Sequence, residues 1–301
     1  MKLSEGIAVF LSQKRPSTRR SYEWTLKNML KFVGDKPLDS IGIQHIAEYS
    51  DELNRREYKS NYTWNKFVKT LRVFFNFCVS EGLIEKSPAS VMKMRREPRA
   101  ISKDKAMSDK DLAKLLTYTQ FHPKANALVL FLADTGCRAR GVSQLQVSEI
   151  DFQKREAVVT EKGEKTRTVR FGPVCATALA VWIAERPADY GDYVFSGDRE
   201  RRGKPMLSSS VSQIVRRACE RAGIKPRGAH SLRHRKGHQL ADAKVAPSLS
   251  AQVLGHSDPA ITLQHYYPDD WDRVSQAFDE LAVQADEVDE KIIPYPQQKT
   301  T

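Results

Sequence analysis

The chain has 301 residues, 40% hydrophobic and 29% charged, with a formal net charge of +12. That length admits two domains of ordinary size, and the basic excess suits a polyanionic partner, most simply nucleic acid. No run of about 18 apolar residues is present, so no membrane-spanning helix is expected. The N-terminal stretch MKLSEGIAVFLSQ lacks a signal-peptide cleavage pattern. Cys78, Cys137, Cys175 and Cys219 form no C-x-x-C pair, which argues against a zinc site or a disulfide framework. A reduced, cytoplasmic protein with each thiol in a core is the expectation.

In chain order, Pro16 and Ser17 signal a helix to about residue 32, with Tyr22, Leu26, Met29, Leu30 and Val33 near helical spacing. A second helix is predicted over about residues 43–53. A third covers SNYTWNKFVKTLRVFFNFCVSEGLI, where Trp64, Phe67, Leu71, Phe74, Phe75 and Cys78 form one apolar stripe. Gly82 ends it, and Pro88 opens a short fourth turn. Residues 1–94 thus read as a small helical domain whose basic faces either meet DNA or stand in solvent. Residues 95–106 are basic, contain Pro98 and lack apolar periodicity, as a linker does.

Residues 107–272 form the second predicted domain. Ser108 is its first N-cap, with Asp111 as capping-box partner. ANALVLFLA, residues 125–133, is a buried helix. EAVVTEKGEKTRTVRF reads as a hairpin: Val158 and Val159 open one strand, residues 162–165 turn, and residues 168–171 return. Helices VCATALAVWIAE and SSSVSQIVRRACERAG follow. The fold class is mainly α with a small β-sheet. From Asp272 onward three basic residues face seven acidic ones, so residues 273–301 form an acidic tail suited to protein rather than DNA.

Several polar residues do not belong in such a core: Arg138 at a glycine-marked turn, His230 and Arg233 three apart on one helix side, and His256 after Gly255. Singly, each is an ordinary surface or capping residue. Together they have a common chemistry. Two arginines grip the nonbridging oxygens of one phosphate and neutralise charge that builds on a pentacoordinate phosphorus. Histidines donate a further bond or move a proton, and a tyrosine oxygen attacks phosphorus. No carboxylate cluster accompanies them, which disfavours a two-metal nuclease.

The chain resembles the tyrosine recombinase, or phage integrase, family. TGCRARGVSQLQVSEID is similar to the first arginine box, EKGEKTRTVRF to the β-hairpin, HSLRHRKG to the second box and LGHSDPAITLQHYYP to the closing box. Arg138 and Lys162 lie 24 residues apart, and Arg233 and His256 lie 23 apart, as expected of the family. The resemblance implies a SAM-like, four-helix core-binding domain followed by the catalytic domain, similar to simple integrases and Xer-like recombinases. The helical domain is expected to start near residue 16, with no arm-type domain before it.

The resemblance also implies roles. Arg138, Arg233 and His256 hold the scissile phosphate, Lys162 protonates the leaving 5′ oxygen, and His230 assists proton transfer at the tyrosine. The tyrosine forms a 3′-phosphotyrosyl link, without metal, ATP or cofactor. Four subunits then exchange strands between two double-stranded core sites through a Holliday junction, with room for accessory DNA-bending proteins. Residues 273–301 would pack on the neighbouring subunit. Either Tyr266 or Tyr267 is the nucleophile. Tyr266, ten residues after His256, needs the smaller departure from the usual spacing of nine, and neighbouring helical side chains point about 100° apart. Two positions depart from the family pattern: Gly141 stands where a glutamate is usual, and Arg235 where a threonine is usual. A type IB topoisomerase and a DNA-binding protein without catalysis are the alternatives.

Overall fold

The computed structural model describes residues 1–56, 61–96, 105–161 and 165–267. The chain divides into two units, Met1–Arg99 and Ala100–Thr301. None of the helices among the described residues is long and apolar enough to cross a membrane.

The first unit is built from helices α1 (Leu3–Ser12), α2 (Pro16–Val33), α3 (Ile43–Arg55) and α4 (Asn61–Ser80). Helix α1 corrects the expected start near residue 16. Its buried residues Leu3, Ile7, Phe10 and Leu11 recur at helical spacing and face the core. Its first turn is secured because Lys2 N–H donates to the Glu5 carboxylate (2.8 Å) and Leu3 N–H to the Lys36 carbonyl (2.9 Å). The core is strongly aromatic: Phe74 on α4 meets Phe10 edge-on at 5.5 Å and Phe75 at 5.1 Å.

The first residue of the expected linker, Arg95, is held to α4. Asn65 of α4 donates to the Arg95 carbonyl and accepts from the Arg95 N–H, each at 2.8 Å, and the Arg95 guanidinium lies 4.0 Å from the Trp64 ring centre. Trp64 Nε1 donates to the Lys93 carbonyl (2.9 Å). The polar edge of α4 thereby holds the chain through Arg95, and residues 97–104 of the linker lie outside the described residues.

The second unit contains α5 (Asp109–Thr119), α6 (Pro123–Thr135), α7 (Ala139–Gln144), β1 (Ile150–Asp151), β2 (Glu156–Thr160), β3 (Thr166–Arg170), α8 (Pro173–Glu185), α9 (Ser208–Arg221), α10 (Ala229–Asp242), α11 (Pro247–Leu254) and α12 (Pro259–Tyr266). Ser108 caps α5 by accepting from Asp111 N–H at 3.1 Å. The apolar helix α6 buries Leu128, Phe131 and Leu132 and packs on α8 and α10. All four cysteines are buried and free, and burial raises the thiols of Cys78 and Cys137 to about 11.

The strands form an antiparallel sheet in the order β1-β2-β3, and both hairpin strands begin before the expected positions. Ala157 pairs with Val169 and Val159 with Arg167. Side chains alternate along a strand, so Ala157, Val159 and Glu161 share the buried side. Main-chain N–H of Glu161 donates to the Lys165 carbonyl at 2.9 Å, and residues 162–164 are outside the described set. Lys162 is among those three.

Candidate active site

Two backbone junctions and one helix face of the second unit present the polar residues. Helix α6 ends at Gly136, whose φ of 60° is a left-handed cap that suits glycine. Arg138 follows at once as the N-cap of α7. Helix α11 ends at Gly255, also left-handed, and His256 falls in the turn before α12. On α10, His230, Arg233, His234 and Gly237 follow at three-, one- and three-residue steps, which places them along one face.

Arg233 is buried, at 4% exposure. Its Nη1 donates to the Gly136 carbonyl at 2.8 Å, while its buried Nη2 has no partner among the described residues. Burying a guanidinium with an unused donor is costly, so this geometry suits an anion arriving from outside. Burial first, then the neighbouring Arg138, lowers Arg233 to about 10, and it remains cationic at pH 7. Arg138 Nη1 donates to the Gly255 carbonyl at 2.9 Å, which brings the first box beside His256.

His256 shares a hydrogen bond between Nδ1 and the buried Thr262 hydroxyl at 2.7 Å. Burial, then Arg233 and Arg138, lowers it to about 4, so the ring is neutral at pH 7. His230 is lowered too, by burial and then by the same arginines. The Tyr266 ring lies parallel to the His256 ring, with centres 6.4 Å apart.

The two tyrosines are in different situations. Tyr266 is the last residue of α12 and is 4% exposed. Its ring lies over α10, where a Cβ on Gly237 would come within 2.4 Å of Cζ; only glycine admits the ring there. Its hydroxyl is 3.1 Å from His234 Nδ1. Burial raises this phenol, only partly opposed by Arg233 and Arg138, so it is protonated in the free protein. Tyr267 is the extended C-cap of α12. Its hydroxyl bonds Ser250 Oγ at 2.7 Å and the Val245 carbonyl, tying the chain to α11.

Of the six residues singled out from the sequence, Arg138, His230, Arg233, His256 and Tyr266 are brought together on α7, α10 and α12 and the turns beside them. Lys162 lies outside the described residues. Three further polar residues of this region escaped the sequence reading. Glu161 is 4% exposed and pairs with Arg138 and with Arg167. Strand alternation running on from Val159 was the available signal for Glu161. His234, the third, sits in the quoted HSLRHRKG box one residue past Arg233. Arg235, at the other departure from the family pattern, is partly buried. Its guanidinium pairs with Asp109 at 2.7 Å, linking α10 to α5. A cleft of about 340 Å³ opens among Arg138, Glu161, Arg167 and His256.

The phage integrase family model matches residues 105–272, and the model of the phage integrase N-terminal SAM-like domain matches residues 9–82. The tyrosine recombinase XerC of Alcanivorax borkumensis is 27% identical over 274 residues, spanning 88% of this chain and 87% of the relative. XerA of Thermococcus kodakarensis is 27% identical over 254 residues, 84% of this chain and 85% of the relative. Among solved structures, the Tn1549 transposon integrase in complex with a circular intermediate DNA superposes with a TM-score of 0.74 at 18% identity, covering 93% of this chain and 100% of that one. The XerH recombinase bound to its difH substrate gives 0.69 at 18% identity, over 88% and 80% of the two chains. These last two likenesses bear on the fold. The family match extends over more than half of the sequence and takes in every site residue just described, and the chain accordingly belongs to the phage integrase family of tyrosine recombinases, enzymes of DNA strand transfer.

Proposed function

We propose that the chain is a site-specific DNA recombinase in which Tyr266 is the nucleophile. The observation that carries this reading is the buried Arg233 with its unused Nη2 donor, set with Arg138 and His256 beside a buried tyrosine hydroxyl. Arg138, Arg233 and His256 bind the nonbridging oxygens of the scissile phosphate and stabilise the charge of the pentacoordinate transition state. The Tyr266 oxygen forms a bond to phosphorus as the bond to the 5′ oxygen breaks. The phenol proton leaves toward the histidines of α10, with His230 assisting, and Lys162 supplies a proton to the departing 5′ hydroxyl. One phosphodiester is exchanged for another, so rejoining requires neither ATP nor a metal.

Strand exchange between two double-stranded core sites, by four subunits and through a Holliday junction, completes the proposal. Residues 1–94 serve as core-binding domain, residues 107–272 as catalytic domain, and residues 273–301, outside the described set, dock on the neighbouring subunit. Removing residues 274–301 is then expected to weaken synapsis more than single-site binding on native gels. Trapping the adduct on a nicked duplex, followed by mass mapping of residues 264–270, tests the nucleophile. Phosphonucleotide on Tyr267 would reverse the assignment. Relaxation of a plasmid lacking any special site, without recombination between two sites, would favour the topoisomerase alternative.

A further inference from the structure

Gly141 occupies the third position after Arg138, where the family usually carries a glutamate. It lies on α7 and is buried. A Cβ built there would meet Val159 Cβ at 3.4 Å and Glu161 Cγ at 3.6 Å. A glutamate side chain thus does lie beside position 141, delivered from just past the end of β2 instead of from α7.

The Glu161 carboxylate accepts from the Arg138 main-chain N–H at 3.1 Å, pairs with Arg138 Nη1 and accepts from Arg167 Nη2 at 3.2 Å. Arg167 Nη1 in turn donates to the Val253 carbonyl at 2.7 Å, and Arg138 Nη1 to the Gly255 carbonyl at 2.9 Å. One carboxylate thus joins the start of α7, strand β3 and the end of α11. Buried charges persist when paired, and this one is held by two guanidiniums. Burial raises the Glu161 carboxyl, but the Arg138 N–H and the charges of Arg167, Arg138 and Arg233 outweigh it, and the group stays ionised.

We infer that Glu161 is a positioning residue for Arg138 and Arg167, supplying across the sheet the carboxylate that position 141 lacks. The inference rests on the reading of Arg138 as a phosphate ligand. Arg138 spends Nη1 and its main-chain N–H on this frame, while Nε and Nη2 take no partner among the described residues. One edge of the guanidinium is fixed and the other is left for an anion. Without the carboxylate, Arg138, Arg167 and Arg233 repel one another, and Arg138 regains the rotamers that the frame denies it.

The test exchanges the two residues. Glu161→Gln, Glu161→Gly and the double variant Gly141→Glu/Glu161→Gly are compared with the full-length wild type and with Arg138→Ala, each melted to confirm folding. Phenylglyoxal labelling of Arg138, read by mass mapping without DNA, reports the frame directly. Labelling is expected to accelerate about tenfold in both single variants and return near wild type in the double variant. Covalent capture uses a nicked duplex selected from a random-sequence pool on the wild type. Capture should fall about tenfold or more in the single variants with unchanged DNA binding, and the double variant should recover most of it. The Glu161→Gln change keeps the shape and removes the charge, so it reports even if the glycine variant fails to fold. Wild-type labelling in Glu161→Gln, or a folded double variant as impaired as Glu161→Gly in both measurements, overturns the inference. Labelling that follows Glu161 while capture is absent, or is equal in wild type and Arg138→Ala, leaves the frame standing and removes the strand-transfer role of Arg138.

Discussion

The two units bury different kinds of residue. In the first, the buried polar side chains among the described residues are Thr25, Asn65 and Thr70, all uncharged, around a cluster of aromatic rings. In the second, Glu161 and Arg233 are buried as well, and both belong to the candidate site. Charge inside a protein is expensive unless paired or reserved for a ligand. The first unit therefore keeps charge out of its described interior, whereas the second buries charged side chains at the candidate site.

The sharpest way to break this comparison is Tyr266→Phe. It removes one hydroxyl and little volume, so folding and DNA binding should survive while the covalent adduct disappears. Tyr267→Phe should keep the adduct, because its hydroxyl serves Ser250 and Val245. An adduct persisting in Tyr266→Phe would show that the buried hydroxyl is only structural.

Arg233→Ala comes next. Cleavage should fall by about 10²–10³-fold, the scale for losing a preorganised charge in the transition state. Equilibrium binding to the duplex should change little, since many other contacts hold DNA. Parallel loss of binding and cleavage would mean that Arg233 serves binding rather than chemistry.

In the first unit, Phe74→Ala should cost about 3–5 kcal/mol of that unit's stability through a cavity in its aromatic core. Urea unfolding should show the loss in that unit's transition, with that of the second unit unmoved. A cost below about 1 kcal/mol would deny that the first unit depends on aromatic packing.

The smallest effect is on pH. His234 and His256 are both lowered from 6.5 to about 4, chiefly by burial. Between those values the unfolded chain takes up protons that the folded chain refuses, so the second unit loses stability as pH falls from 6.5 toward 4. Its melting temperature should drop between pH 7 and pH 5. A flat or rising profile would mean that these rings are not buried as described.

Much of this was open to sequence reasoning. The helices α2 and α4 carry long apolar stripes at a 3.6-residue period, a signal that local chemistry imposes. The arginine, histidine and tyrosine boxes were readable because each is a short contiguous motif in a set order. Helix α1 escaped because ten residues at the chain start give too short a pattern, and its fixation depends on the Lys36 carbonyl supplied from another part of the chain. Tertiary structure alone separated two adjacent tyrosines: spacing favoured Tyr266, but the bonds that occupy the Tyr267 hydroxyl come from residues 17 and 22 positions earlier. It alone also brought Glu161 to Arg138, 23 residues away. Pattern along a chain reveals periodicity and local motif, whereas the partner of a buried charge is decided by which strand end folds over which helix start.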